Sequence, residues 1–312
     1  MPTLRSVTTL DRVSHKRADT EWLLGQQAAA TARTAMLIDL KPSIISNETQ
    51  TEARLRWFSN ADVDAFGLSA WPRSFLGLAA NGAPHFAITI SEHRAIAMPG
   101  GPFVVRPYVD LHTLAVQGQL TPEELSIAGA ARALAEWHAN CRHCGHCGAA
   151  TDPKDGGWRR KCFGCGKDFF PRTDPVVIML VTHGNKCLIS HEPRFKDYDV
   201  RLFSTLAGFL EPGEDIEHAV RREVKEEVGL DVGAVRYQES QPWPFPHSLM
   251  IGCRAEATSA DLTLDPNEIA EARWIDRAEL RQIMDKQHPE KIVAPGKHAI
   301  AYKLLMAFLD GA

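Results

Sequence analysis

Apolar positions change their rhythm along this chain, and the change marks its elements. From Val176 to Val181 every residue is apolar, whereas between Ile216 and Val228 apolar residues recur at helical spacing. The first pattern predicts a buried strand over Pro175 to Thr182, turned by His183-Gly184 into a second strand over Asn185 to Ser190. The second predicts a helix over Asp215 to Val228, with Gly229 as its stop. Strands follow near 234–240, 247–255 and 270–275, and helices at about 277–286 and 297–309. Upstream, Ala35 to Ile38 and Phe86 to Ile90 read as strands. A helix is expected over Thr121 to His138: Thr121 can cap it, Pro122 suits its first position, and Glu124 completes a capping box. Residues 139–170 are rich in cysteine and glycine with few large apolar side chains, so they need a staple other than a core. The expected layout is a structural or dimerising domain over 1–138, a metal-stapled insert over 139–170 and an α/β domain over 171–312.

Composition narrows the function classes. With 312 residues, 44% hydrophobic and 24% charged, the chain suits two or three globular domains. A formal net charge of -4 supplies no global basic field, so DNA is not an expected partner, although a local basic patch stays open. The run Val176 to Val181 is far below the ~20 residues of a membrane helix. The residues after Met1 lack the apolar core of a secretory signal, so a reducing cytoplasm and no membrane partner are expected.

Five of the seven cysteines fall between Cys141 and Cys165. In a reducing compartment that clustering points to metal and away from disulfides. Cys144-Gly-His-Cys147-Gly and Cys162-Phe-Gly-Cys165-Gly are two knuckles with 14 residues between them. Four thiolates would close a tetrahedral zinc shell with no position for water, which makes such a zinc structural. Spacing alone also permits a first knuckle at Cys141 and Cys144; without metal, these would be five free or redox-active thiols.

The helix over 215–228 carries acids in an unusual place. Glu223, Glu226 and Glu227 gather on one side, in line with Ile216 and Val220, while His218, Arg221 and Lys225 lie opposite. A solvated acidic face would put its carboxylates away from the apolar stripe. Inward like charges repel and take up protons unless a cation sits among them. Hard oxygen ligands select Mg²⁺ or Mn²⁺. Further on, Ser240-Gln-Pro-Trp-Pro-Phe-Pro-His-Ser248 is held extended by three alternate prolines. Trp243 and Phe245, two apart, would project to one side, either as a stacking platform for a base or as packed aromatics.

The stretch from Gly208 to Leu230 resembles the Nudix box, Gly-x5-Glu-x7-Arg-Glu-apolar-x-Glu-Glu-x-Gly-apolar. Gly208, Glu214, Arg222, Glu223, Val224, Glu226, Glu227, Gly229 and Leu230 fill every specified position. The Ser240–Ser248 segment resembles the signature of the NADH pyrophosphatase branch, which also places a zinc ribbon before the Nudix domain; its Cys-Gly-x-Cys-Gly form favours Cys144 and Cys147 over Cys141. The resemblance covers residues 144 to about 305.

It implies a Nudix α/β/α sandwich around a mixed sheet, a preceding zinc ribbon and a separate N-terminal α+β domain. It implies Zn²⁺ on Cys144, Cys147, Cys162 and Cys165, and catalytic Mg²⁺ or Mn²⁺ on Glu223, Glu227, Glu268 and the carbonyl of Ala207. Glu226 or Glu227 would act as base, with Arg222 and Glu214 orienting the carboxylates. Substrate contacts would come from Phe170, Phe209, the run Gln241, Pro242, Trp243, Pro244, Phe245, Pro246, His247 and Ser248, and Ala301. Two departures stand out: Phe170 occupies a position where tyrosine can occur, and His112 falls where relatives often carry arginine. The implied reaction is hydrolysis of NADH or NAD to nicotinamide mononucleotide and AMP by a homodimer. Other nucleoside diphosphate conjugates and the NAD cap of RNA are alternatives, and a nucleotide-sensing regulator is the alternative of a different class.

Overall fold

In the computed structural model the described residues are 10–47, 49, 51–98, 108–195 and 201–311. They divide into two compact units, residues 1–172 with 244–247, and residues 173–243 with 248–312. The first unit opens with helix α1 (Thr20–Ala28) and continues through β1 (Arg33–Ile38), β2 (Lys41–Pro42), β3 (Ile44–Ser46), β4 (Ala53–Leu55) and β5 (Trp57–Phe58). Helix α2 (Asn60–Ala65), strands β6 (Ser74–Leu78) and β7 (Pro84–Ile90), and helices α3 (Glu92–Ile96), α4 (Leu111–Val116) and α5 (Pro122–Asn140) follow. The main sheet runs β2-β1-β7-β6 with β5 also on β1, and β1 pairs β7 in parallel. Alternation along β1 sends Leu37 to the core under α5, with Ile127, Ala131 and Leu134. Met36 and Ile38 face the other way, toward Phe58, Val63 and Leu68.

The helix expected from Thr121 forms with its capping box and runs on to Asn140. Thr121 Oγ1 accepts from Glu124 N at 3.2 Å, and one Glu124 oxygen also accepts from Leu55 N at 3.0 Å. The cap thus fastens helix to sheet. After α5, three short strands, β8 (Thr151–Lys154), β9 (Arg159–Cys162) and β10 (Asp168–Phe169), form a small antiparallel sheet in the order β10-β9-β8.

The second unit is built on β11 (Asp174–His183) and β12 (Lys186–His191), followed by β13 (Arg201–Leu202), β14 (Leu206–Phe209), α6 (Ile216–Val228), β15 (Val232–Trp243) and β16 (Ser248–Ala257). It closes with β17 (Glu271–Asp276), α7 (Arg277–Met284), β18 (Ile292–Val293) and α8 (Ile300–Leu309). The sheet order is β15-β16-β11-β12-β17, with β14 added on β11; β11 and β16 are parallel and the other pairs antiparallel. Val177, Met179 and Val181 of β11 join the core beneath α6, with Val220 and Val224. Ile178 and Leu180 join the opposite core, with Leu304 and Phe308 of α8. A strand buried on both faces must be apolar throughout, which explains the unbroken run in the sequence. The result is a mixed sheet between helical layers. Among the described residues, no helix is long and apolar enough to cross a membrane.

Candidate active site

Asp215 caps α6 by accepting from His218 N, and Gly229 ends it at φ 74°, a left-handed conformation costly for other residues. Between these ends the helix lays Val220, Val224 and Val228 into the core, and Glu223 and Glu227 continue that face. Both glutamates are buried, at 8% and 5% exposure, so they are not a solvated acidic face. Glu226 differs from the expectation of an inward trio: its side chain is 56% exposed and pairs with Arg222 at 2.9 Å.

Arg222 organises the loop ahead of the helix. Its Nε and Nη2 donate to the two oxygens of Glu214 at 2.7 and 2.8 Å, Nη1 donates to Glu223 at 2.8 Å, and Nη2 also donates to Phe209 O at 2.8 Å. Glu214 is held down to about 2, first by Arg222 and then by Glu211 N–H. The carboxyl of Glu223 occupies the space a side chain at position 208 would need: a Cβ on Gly208 would lie 1.9 Å from Glu223 Cδ. The box glycine therefore seats a carboxylate.

The third acid arrives on a loop. Thr263 N donates to Val228 O at 3.0 Å and Asp265 N to Glu227 O at 3.0 Å, docking the segment on the end of α6. Asp265 then accepts from Asn267 N, and the turn presents Glu268. Glu223, Glu227 and Glu268 each offer an oxygen within 4.8 Å of the others. Burial raises Glu223, and it raises Glu227 to about 9, with repulsion from Glu223, Glu268, Glu192 and Glu226 adding to the effect. Glu227 Oε2 is enclosed without a hydrogen-bond partner. An orphaned buried oxygen in a three-carboxylate cluster has the donor chemistry of a hard divalent cation site. Ala207 lies on β14, paired with Ile178 of β11 and next in sequence to the Gly208 that seats Glu223.

In the first unit, the sulfurs of Cys144, Cys147, Cys162 and Cys165 also lie within 4.8 Å of one another. The Cys144–Cys165 and Cys147–Cys162 separations are 3.6 and 3.4 Å. Tetrahedral zinc–thiolate geometry, with Zn–S about 2.3 Å, requires sulfurs about 3.8 Å apart, so the four fit structural zinc. Cys162 Sγ accepts from Gly164 N and Cys165 N, which stabilises a thiolate. Cys141 lies outside this group: it packs against the core under α5.

The aromatic segment divides between the units. Trp243, at the end of β15, lies nearly parallel to His298, with ring centroids 6.2 Å apart. Phe245 meets His112 edge-on at 5.1 Å and lies under Arg132 at 5.5 Å, against the first unit's core. Gln241 is buried; Nε2 donates to His298 O at 2.6 Å and Oε1 accepts from Ile300 N at 2.8 Å. This ties β15 to the start of α8, where Ala301 is buried. Pro242 pairs with Leu249 and Trp243 with Ser248 in the hairpin; Pro244, Pro246 and His247 belong to the segment grouped with the first unit. Phe209 and Phe170 are exposed, at 59% and 65%. No local motif signals His298 or Glu192, because both come to the site through tertiary neighbours.

Comparison with known proteins agrees with this geometry. The NUDIX domain model matches residues 171–295. NAD-capped RNA hydrolase NUDT12 of Homo sapiens is 34% identical over 336 residues, covering 96% of this chain and 72% of that protein. NAD-capped RNA hydrolase NudC of Mycobacterium bovis is 35% identical over 307 residues, covering 96% and 93%. A solved NUDIX hydrolase from Nitrosomonas europaea superposes with TM-score 0.41 at 18% identity, covering 54% of this chain and 90% of that one. Similarity over 96% of this chain to each of two such relatives joins the box geometry and the four-thiolate ribbon in one assignment: the chain belongs to the Nudix hydrolases, in their NADH pyrophosphatase-type branch.

Proposed function

We propose that this protein hydrolyses the diphosphate linkage of NADH and NAD, releasing AMP and nicotinamide mononucleotide (in its reduced form from NADH), and that the same bond in NAD-capped RNA is its alternative substrate. The observation that carries the reading is the buried trio Glu223, Glu227 and Glu268 with its orphaned Glu227 oxygen. These residues, with the Ala207 carbonyl, would hold the divalent ions. Bound Mg²⁺ or Mn²⁺ would neutralise diphosphate charge and lower the pKa of water. Arg222 keeps Glu223 oriented and Glu214 fixes Arg222, so the cluster is set before substrate arrives. Glu226 and Glu227 are the candidate bases; Glu226 reaches solvent and Glu227 does not. Phe209 and Trp243 would offer aromatic faces to a base, while Gln241 and Ala301 of the same unit shape the adjoining wall. Phe245, Pro242, Pro244, Pro246, His247 and Ser248 hold the segment that carries Trp243. The names of both relatives support the NAD-type substrate. We assign residues 1–138 a structural or dimerising role in a cytoplasmic homodimer, with the ribbon over 139–170 and the hydrolase domain over 171–312.

Initial rates on NADH, NAD, ADP-ribose and an NAD-capped RNA, each with Mg²⁺ and with Mn²⁺, test the proposal. Release of nicotinamide mononucleotide from the NAD-type substrates, with kcat/KM above that for ADP-ribose, is expected. Faster turnover of ADP-ribose than of every NAD-type substrate would overturn it.

A further inference from the structure

Outside the hydrolase site, two arginines of the N-terminal unit sit together with no carboxylate drawn to either among the described residues. Their Cζ atoms lie 5.2 Å (Arg12) and 3.9 Å (Arg17) from the centroid of the Trp158 indole. The indole itself is anchored: Nε1 donates to Phe75 O at 2.7 Å and the ring packs against the core. Arg17 is half-buried, and its Nε donates to Arg12 O at 3.2 Å. Its Nη2 is enclosed with no partner. Burial lowers both guanidiniums, and Arg12 further lowers Arg17, to about 10; no carboxylate acts in the opposite direction on either.

The neighbouring arginines are satisfied. Arg159 pairs with Asp155 and Asp168, each at 2.7 Å. Arg160 donates to Thr151 and meets His138 Nδ1 at 2.9 Å. Residues 1–9 contain Arg5 and no acid, so the sequence leading into the pair adds no counter-charge. Between the two arginines, Val13 holds φ 40°, a strained value for a β-branched residue, kept by Val13 N donating to Asp11 and Lys16 N donating to Val13 O.

Arg12 is exposed and Arg17 half-buried; the two neighbouring cations repel each other, and the buried Arg17 Nη2 without an acceptor adds to the cost. A phosphate anion relieves the repulsion. The exposed Arg12 guanidinium, held over the indole face, still offers N–H groups whose geometry matches phosphate oxygens. We propose that Arg12 and Arg17, seated on Trp158, form a phosphate-binding site that takes either free phosphate or a phosphodiester of a nucleotide chain.

The test uses the full chain with its zinc and no added divalent metal, comparing wild type with the double variant Arg12→Met/Arg17→Met. Methionine keeps a long apolar stem on the indole and removes the charge. Thermal melts are recorded against inorganic phosphate, with chloride at equal ionic strength as control. Binding of a labelled single-stranded RNA is followed over a salt series. Phosphate should raise the melting temperature of wild type and not of the double variant. A response to phosphate with identical RNA binding in the two proteins assigns free phosphate as the ligand. A nucleotide chain is assigned if the variant also binds RNA several-fold more weakly, with a salt slope about 0.7 shallower for each phosphate it no longer neutralises. Equal phosphate responses in the two proteins overturn the site. If the double variant does not fold, Arg12→Met, at the exposed member of the pair, must respond less than wild type; an equal response again overturns it. NADH turnover with Mg²⁺, expected unchanged in every folded variant, reports separately on the hydrolase reading.

Discussion

At Glu227, burial and four neighbouring carboxylates act in the same direction, raising the group from 4.5 to about 9. In metal-free protein the folded state therefore keeps a proton that the unfolded state releases above its ordinary value. The associated stability is complete below about pH 4.5 and declines until the pH passes about 9. Glu227→Gln removes the titration. Without added divalent metal, the variant should lose less stability than wild type between pH 5 and pH 8, read as urea midpoints. With Mg²⁺, wild type should regain stability at pH 8 through preferential binding to the folded state, and the variant should gain less. Its kcat should fall by roughly 10³-fold, on the scale of removing a principal electrostatic partner of the transition state. Near wild-type turnover with no response to Mg²⁺ would return Glu227 to an ordinary buried acid.

Among elements, the turn from β14 into α6 shows why the box begins with glycine. Gly208→Ala would set a methyl group against the Glu223 carboxyl and push it from Arg222. A displacement of this kind should lower kcat by about 10²-fold. The strain of overpacking should cost about 1–3 kcal/mol of stability; wild-type activity in the alanine variant would show that the carboxylate has room to move. Much of this element is legible in the sequence. Apolar spacing places α6, and the alignment of Glu223 and Glu227 with Val220 gives their inward direction. Glu226 departs from that pattern: helical angle alone sets it near the other two, whereas Arg222 holds it at the surface. The first-unit strands β8 to β10 carry no periodic signal. They are short, β8 contains Pro153, and their order depends on the cysteine cluster more than on apolar alternation. Phe245 likewise follows tertiary packing: its spacing from Trp243 suggests a shared face, but its ring meets His112 and Arg132.

For the molecule as a whole, both units pack apolar side chains on either face of a sheet, and the cysteine ribbon within the first unit rests on a different kind of stabilisation. The ribbon has few apolar side chains and closes around four sulfurs, so purified protein should contain about one zinc ion per chain. Cys162→Ser should release zinc and lower the thermal stability of the first unit; elemental analysis and thiol titration of the native chain check this. A zinc-free preparation with all four thiols titrating while the fold stays intact would remove the site. The second unit is held by apolar packing on both faces of its sheet. Its β11 strand sends Val177, Met179 and Val181 into one core and Ile178 and Leu180 into the other. A displacement of that strand disturbs the packing of both helical layers at once. The seat of α6, and with it the position of Glu223 and Glu227, therefore depends on a strand whose other face is covered by α8.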